Sequence, residues 1–250
     1  MERKDSYFKW ILVLCLVLVA HANVRAEEGE KTDKSDSTSL TLAERWKETA
    51  LERYQCLEDT NLNFEAFELA YRGYTKLLLE GELQESKYLT VVDFSLSSSA
   101  KRMYVIDMES DTILYNTYCA HGRNSGGEYA RKFSNSTGSH MSSLGFYLTA
   151  NTYAGKFDLA LRLEGLERTN SKARSRGVVM HGAKYANPSF LERNGMLGRS
   201  YGCPAVPTDM AEPVINTIKG GSCFFIYHPS NYYLSQSKIL KDYSFLLNEG

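Results

Sequence analysis

The alternation of apolar and polar residues changes character near residue 87. Before that point, over 42–86, apolar residues recur at helical spacing, and Gly81 stands where the second of two helices would end. After it, short alternating runs are separated by Gly, Ser, Asn and Asp, which is typical of strands and turns. These runs predict strands over 89–94, 102–107, 112–119, 145–151, 177–181 and 223–227.

A parallel sheet would require helices between successive strands, and the predicted strands do not alternate with helices. We therefore expect a mainly β, mainly antiparallel domain over 87–230, with the helical segment 42–86 before it and a C-terminal tail, 231–250, after it. A chain of 250 residues accommodates one domain of this size with a small addition.

Residues 1–26 carry the pattern of a secretory signal peptide. A charged start is followed by an apolar run over 10–20 and then by small residues. The run is shorter than the roughly 20 apolar residues of a membrane-spanning helix, so we predict an exported protein with no membrane span. A lipid anchor on Cys15 is the alternative, although Leu14 stands where a small residue is expected. Residues 27–41 are charged and rich in Ser and Thr, which predicts a flexible leader.

The charge of the chain argues against two classes of partner. The net charge is −1, and the basic residues form no stripe of the kind that binds nucleic acid. No basic amphipathic segment is present that would bind anionic lipid. We therefore expect neither nucleic acid nor a lipid surface as the partner.

The chain has five cysteines, of which Cys15 would leave with the signal peptide. No Cys-x-x-Cys pair exists, so a closed zinc site is not predicted. Export makes a disulfide chemically possible. If one of the four remaining cysteines stays free for chemistry, the chain holds at most one bridge, and Cys119 with Cys223 is the pair we would test.

Two segments concentrate residues that can do chemistry. The first is a β-branched run that ends in His181-Gly182, and the second is a glycine-rich loop that carries Cys203. A thiol needs a nearby base to become a thiolate at neutral pH, and successive loop amides can together bind an anionic oxygen. The pattern favours acyl transfer, whereas the alternative interpretation makes Cys203 a small buried side chain and His181 a core histidine.

Taken in order, His181-Gly182 and Ser200-x-Gly202-Cys203 resemble the L,D-transpeptidase catalytic domain. The signature of that family is His-Gly, a short spacer and then Ser/Thr-x-Gly-Cys. The best-known branch has a histidine where this chain has Tyr201, and it also differs after the cysteine. The Ser-x-Gly-Cys-Pro-Ala form thus resembles a divergent branch.

The similarity extends upstream and covers about residues 88–230. It includes Phe133-Ser134-Asn135 and the segment 142–148, which resembles the small-residue, Gly, aromatic strand of the family. The resemblance implies an antiparallel β-sandwich or barrel with a short N-terminal helical segment.

The resemblance also implies a reaction. The Cys203 thiolate would attack a peptidoglycan stem tetrapeptide, release D-alanine and form a thioester that an amine resolves. No cofactor and no metal are expected, and the site of action would be the periplasm or the cell envelope. The sequence leaves the acceptor open among a second stem peptide, a lipoprotein lysine and water, and it does not indicate an oligomeric state.

Roles for the other residues follow from the same resemblance. His181 is the expected base, and Ser200 either orients its imidazole or supports the turn. The backbone around Gly182 and the amides of Tyr201, Gly202 and Cys203 are expected at the oxyanion site. Weaker candidates for substrate binding are Arg174, Arg176, Arg199, Ser143 and Asn135.

Three other functions compete with the transpeptidase interpretation. An L,D-carboxypeptidase or amidase would use the same acyl-enzyme with water as acceptor. A non-catalytic cell-wall-binding module would carry a dead site. A zinc hydrolase would need His121, His140, His181 and Cys203 together, yet no short-spaced ligand pair is present, and we expect His121 at the surface.

Overall fold

The computed structural model describes residues 41–58, 61–155 and 158–247. The predicted signal peptide, the possible lipid anchor at Cys15 and nearly all of the predicted leader lie outside these residues. Over the described ranges, none of the helices combines the length and the apolar character that crossing a membrane requires.

Two N-terminal helices are present where the periodicity predicts them, α1 over Leu42–Cys56 and α2 over Phe64–Leu79. Thr41 begins α1 with a capping box, because its side chain accepts from the Glu44 amide while the Glu44 carboxylate accepts from the Thr41 amide. Asn63 caps α2 by accepting from the Glu65 amide at 2.9 Å. Gly81 follows the end of α2 with φ +73°, a left-handed conformation that glycine adopts without strain.

The strands form one mixed sheet in the order β3-β2-β1-β8-β4-β5-β6-β7. The neighbours β1 and β8, and β6 and β7, run parallel, whereas the other neighbouring pairs are antiparallel. The bounds are β1 Tyr88–Asp93, β2 Met103–Asp107, β3 Thr112–Thr117, β4 Gly145–Gly155, β5 Asp158–Gly165, β6 Val179–Gly182, β7 Ala205–Val206 and β8 Cys223–Tyr227.

The chain that follows β3 nearly closes this sheet into a barrel. Ala120 forms an antiparallel bridge with Ala205 in β7, and Gly122 forms a parallel bridge with Ser200. The two edge strands are thereby linked, which removes most of the open edge. The predicted fold class, a mainly antiparallel barrel-like sheet with a short N-terminal helical segment, is confirmed.

The periodicity missed two strands and the later helices. β5 mixes charged and apolar residues, and β7 has only two residues. The missed helices are short or contain proline, as α4 does at Pro213. They are α3 Pro188–Asn194, α4 Thr208–Ile218, α5 Asn231–Gln236 and α6 Lys238–Lys241, with 3₁₀ turns at Lys184–Ala186 and Ser244–Leu247.

The helices of the N-terminal segment, the sheet and the C-terminal residues share one hydrophobic core. Gly73 lets α2 approach the sheet closely, because a Cβ there would lie 2.0 Å from the Phe146 ring. That ring in turn stacks on Phe225 with 4.2 Å between centroids. In the C-terminal segment, the Tyr233 hydroxyl donates to the buried Glu167 carboxylate at 2.8 Å. Residues 231–247 therefore fold back onto the sheet.

The proposed bridge between Cys119 and Cys223 is wrong, since both are free, buried thiols. The sheet register gives the reason. Cys223 lies in the row of Leu89, whereas Cys119 follows Thr117, whose row contains Met103 and Val92 at the other end of the strands. Two intervening strands, β2 and β1, also separate β3 from β8.

Candidate active site

The parallel pairing of β6 with β7 brings the two predicted catalytic segments side by side. His181 lies opposite Ala205, and its amide donates to the Pro204 carbonyl at 3.4 Å. Cys203 immediately precedes this pair. Its thiol donates weakly to the Gly177 carbonyl at 3.7 Å and is also near the Val179 amide. The cysteine thus lies along the strand that carries the histidine.

The other side of the cysteine loop is hydrogen-bonded to the segment 120–123. The amides and carbonyls of Ala120 and Ala205 exchange hydrogen bonds of 2.7 and 3.2 Å. The Ser200 amide donates to the His121 carbonyl at 2.9 Å, and the Arg123 amide donates to the Ser200 carbonyl at 2.7 Å. The loop is consequently bonded to backbone on both of its sides.

The turn that precedes the cysteine requires glycine at position 202. Gly202 has φ +123°, and a Cβ there would lie 2.7 Å from the Met141 carbonyl oxygen. Gly122 approaches from the other side, where a Cβ would lie 3.0 Å from the Gly202 Cα. Both conformation and space therefore exclude a side chain.

Ser200 supports this turn rather than the imidazole. Its hydroxyl donates its single proton to the Cys203 carbonyl at 2.6 Å and accepts from the Gly202 amide at 3.0 Å. Of the two roles considered for Ser200, these contacts favour support of the turn. Both bonds are local, because Ser200 lies two residues before Gly202 and three before Cys203.

His181 is 1 % exposed, and its Nδ1 lies 2.9 Å from the carbonyl oxygen of Gly182. Because a carbonyl only accepts, Nδ1 carries the proton and Nε2 is the basic nitrogen of the neutral ring. Burial lowers the pKa of His181, and the bond to Gly182 opposes that shift in part. The geometry thus holds a neutral imidazole in one tautomer.

The Cys203 thiol is partly exposed. Loss of hydration raises its pKa, while the Val179 amide and the positive charge of Arg176 act in the opposite direction. A raised thiol pKa beside a lowered imidazole pKa favours the neutral pair over a thiolate and an imidazolium.

Gly182, which was expected at the oxyanion site, contacts both the catalytic histidine candidate and α4. Its carbonyl orients His181, and a Cβ on Gly182 would lie 2.9 Å from the Ala211 Cβ and 3.3 Å from the Thr208 Cα in α4. The glycine therefore lets a helix of the same chain come close.

The three predicted oxyanion amides differ in their hydrogen bonds. The Gly202 amide donates to Ser200, whereas the Tyr201 and Cys203 amides donate to no acceptor in the part of the chain that the structure describes. An amide that already donates within the turn does not reach an oxyanion at the same time. The oxyanion role stays a prediction, and the Tyr201 and Cys203 amides are the two that the turn does not use.

The Arg176 guanidinium holds the segment 134–143 in place through hydrogen bonds. Its Nη1 donates to the Ser134 carbonyl at 2.8 Å and the Ser143 hydroxyl at 2.5 Å, and its Nη2 donates to the Ser139 hydroxyl at 3.2 Å and the Met141 carbonyl at 2.7 Å. All four terminal N–H groups are occupied, which leaves Arg176 no terminal donor for the substrate contact that the resemblance suggested. The charge still acts on the thiol.

Ser143 and Asn135 are also structural. The Ser143 hydroxyl donates to the Ser134 carbonyl at 2.9 Å and is buried. The Asn135 amide donates to the Arg168 carbonyl at 2.9 Å and accepts from the Lys172 amide at 3.1 Å. Their polar atoms hold loops together, which sequence similarity alone did not distinguish from contact with substrate.

The other two arginines remain at the surface. Arg174 forms an ion pair with Glu164. Arg199 is exposed, and one of its N–H groups donates to the Gly126 carbonyl at 3.1 Å. Arg199 therefore retains donors for a ligand.

His121 is buried, which contradicts the expected surface position. Its Nδ1 lies 2.8 Å from Nη2 of Arg102, a fully buried arginine whose Nε donates to the Cys119 carbonyl at 2.9 Å. Burial and that positive charge lower the pKa of His121 to about 4. Sequence reasoning missed this pair, because nothing local marks Arg102 as buried.

The candidate zinc ligands are not brought together. His121 faces Arg102, and the His140 ring lies against Tyr201 with 4.6 Å between centroids. Within the described ranges, no three His, Cys, Asp or Glu side chains are grouped in a way that could hold a metal ion.

A barrel-like sheet with a cysteine and a histidine on neighbouring segments corresponds to the fold class that the sequence motifs suggested. The model of the L,D-transpeptidase catalytic domain family matches residues 58–227 of this chain, which include both segments. The chain belongs to that family. Comparison with curated proteins gives no match.

Solved structures with a similar fold include two mycobacterial proteins. The L,D-transpeptidase from Mycobacterium smegmatis is 15 % identical with a TM-score of 0.37, and the alignment covers 57 % of this chain and 59 % of that one. An L,D-transpeptidase from Mycobacterium tuberculosis H37Rv is 17 % identical with a TM-score of 0.34, covering 57 % and 58 %. This chain thus spans less than two thirds of either protein.

The L,D-transpeptidase of Xylanimonas cellulosilytica DSM 15894, residues 123–326, is also similar. It is 10 % identical with a TM-score of 0.35, covering 81 % of this chain and 100 % of that one.

Proposed function

We propose that this protein is an exported peptidoglycan L,D-transpeptidase in which Cys203 is the nucleophile and His181 its base. The observation that carries the proposal is the pairing of β6 with β7, which lays the buried His181 along the cysteine loop. The bond from Nδ1 to Gly182 leaves Nε2 as the atom that can take a proton.

The first step starts from the neutral pair. As the Cys203 sulfur bonds to the carbonyl carbon of the stem tetrapeptide, the thiol proton passes to Nε2 of His181. Proton transfer coupled to attack fits a thiol whose pKa is raised by burial beside an imidazole whose pKa is lowered. The negative charge then lies on the former carbonyl oxygen.

That oxygen needs donors that the turn does not already use. The Tyr201 and Cys203 amides meet this condition in the described chain, and the Arg176 charge adds a favourable field near the sulfur. Loss of one such donor typically raises the barrier by about 3–4 kcal/mol.

The second half of the reaction restores the enzyme. The carbon–nitrogen bond breaks, His181 gives its proton to the departing D-alanine amine, and a thioester remains on Cys203. An acceptor amine attacks the thioester, His181 removes its proton, and the thiolate leaves and is protonated again. Water in place of the amine gives the carboxypeptidase outcome.

Intact mass measurement with tetrapeptide-bearing muropeptides tests the proposal. The wild-type protein is expected to gain a thioester adduct or to release a cross-linked product, and Cys203→Ala and His181→Ala are expected to give neither. Cys56→Ala is the matched control, because Cys56 is an exposed free thiol. A cross-linked product identifies an amine acceptor, and a shortened stem identifies water.

An adduct that persists in Cys203→Ala would overturn the assignment of the nucleophile. Absence of adduct, product and thiol reactivity in the wild-type protein would instead support the non-catalytic wall-binding alternative.

A further inference from the structure

Three backbone segments meet beside the cysteine turn. A Cβ on Gly122 would lie 2.6 Å from the His140 carbonyl oxygen and 3.0 Å from the Gly202 Cα. The Asn124 amide donates to the same His140 carbonyl at 3.1 Å. The side chains of His140 and Arg123 both lie near the Tyr201 ring, beside these backbone contacts. We call Arg123, His140 and Tyr201 the tyrosine ledge.

The ledge presents an aromatic surface to solvent. Tyr201 is 68 % exposed although it stands only two residues before Cys203. Its ring lies 4.6 Å from the His140 ring, and the Arg123 guanidinium carbon lies 5.7 Å from its centroid. An exposed ring held in place by two neighbours beside a reactive thiol is a surface suited to a ligand.

His140 supports this interpretation through its backbone. It has φ +53°, a left-handed conformation that is uncommon for residues other than glycine. Such conformations persist where surrounding structure holds them and are frequent at ligand sites. The ring of this residue lies against Tyr201.

The ledge also carries the positive charge of Arg123. Within the described ranges, the Arg123 guanidinium donates to no acceptor, and the group it contacts is the Tyr201 ring. Arg199, close in sequence to Tyr201, is exposed and donates to the Gly126 carbonyl. A planar guanidinium with free donors matches a carboxylate bidentately.

We infer that the tyrosine ledge binds a carboxylate of the peptide substrate, with Arg123 on the carboxylate and the aliphatic part of the peptide over the Tyr201 ring. This inference rests on the proposed function and names the chemistry that selects its substrate. A carboxylate at the C-terminus of the stem and one on a side chain are equally suited to Arg123, so the experiment separates them.

Calorimetric binding to Cys203→Ala protein, produced from the full chain, removes chemistry from the measurement. Three tetrapeptide stems serve as probes: one with free carboxylates, one amidated at its C-terminus and one amidated on its side-chain carboxylates. Arg123→Gln is compared with Arg193→Gln, which changes an exposed arginine on α3. Tyr201→Phe, which keeps the ring, is compared with Tyr201→Ala.

Arg123→Gln is expected to weaken binding of the free-acid stem about tenfold or more, and Arg193→Gln to leave it unchanged. One of the two amidated stems should bind weakly and equally to the Cys203→Ala parent and to its Arg123→Gln variant, which identifies the carboxylate. Tyr201→Phe should bind like the parent and Tyr201→Ala more weakly.

Equal binding by Arg123→Gln and Arg193→Gln would overturn the inference, as would an Arg123 effect that survives both amidations. Failure of the proposed function has a different signature. In that case the wild-type protein forms no thioester, while peptide binding to Cys203→Ala still depends on Arg123.

Discussion

The cysteine loop and the aromatic cluster beneath α1 are held together by different interactions. Around the loop, backbone segments approach one another closely at Gly122 and Gly202. The Ser200 hydroxyl adds hydrogen bonds to the backbone of the turn. Beneath α1, rings contact rings: Trp46 lies 4.8 Å from Tyr71 and 5.5 Å from Phe245 between centroids. The first arrangement fixes positions, and the second buries apolar area.

This difference separates two effects of mutation. Apolar burial contributes to the free energy of folding in proportion to area, without strict geometry. Catalytic positioning depends on sub-ångström placement of a few atoms and involves little area. We therefore expect changes beneath α1 to lower stability with little effect on the acylation rate of the folded protein, and changes in the loop to do the reverse.

The largest expected effect is the loss of stability in Trp46→Ala. The side chain is 2 % exposed, and its removal leaves a cavity between Tyr71 and Phe245. We expect a loss of about 3–5 kcal/mol in the free energy of unfolding, measured by urea denaturation. Leu51→Ala, on the exposed side of α1, is the control, and an equal loss there would contradict the comparison.

Gly202→Ala tests the loop from the other side. Its Cβ would collide with the Met141 carbonyl at 2.7 Å and shift the cysteine. We expect the thioester to form roughly 100-fold more slowly, measured by quenched-flow mass spectrometry. Gly195→Ala is the matched control, because Gly195 also has a positive φ, +72°, but has open space at its Cβ position. Equal slowing in both variants would mean that backbone strain, and not the collision with Met141, slows thioester formation.

Ser200→Ala has a smaller expected effect and separates two roles. Removal of the hydroxyl takes away the bonds to Cys203 and Gly202, which should slow acylation about tenfold. If Ser200 only supports the turn, the pH dependence of acylation keeps its midpoint. A shift of the acid limb would instead mean that Ser200 acts on His181.

The smallest expected effect is a shift in the pH dependence of thiol alkylation. Burial raises the pKa of Cys203, so in a Cys56→Ala background the alkylation rate should reach half its maximum above about 8.5, the usual thiol value. Arg176→Gln removes a positive charge that favours the thiolate and should move the midpoint higher still. A midpoint below about 8.5 in the parent would indicate a preformed thiolate and imidazolium.

Much of the fold could be predicted because its signals are local. Alternation with period two marks a strand wherever it occurs, and the predicted strand at Cys223–Tyr227 has the bounds that the structure shows. The parallel pairings of β1 with β8 and of β6 with β7 could not be derived, since they join residues far apart in sequence. β7, with two residues, exists only through its partners in space.

The candidate site divides in the same way. The sequence by itself determined the residue types and their order, His181-Gly182 before Ser200-x-Gly202-Cys203, and with them the family. Only the tertiary structure decided how the polar atoms are used: Gly202 donates within its turn, Arg176 braces a loop, and His121 is buried against Arg102. Whether a donor is used depends on which acceptor lies next to it in the folded protein, and the order of residues along the chain does not specify that neighbour.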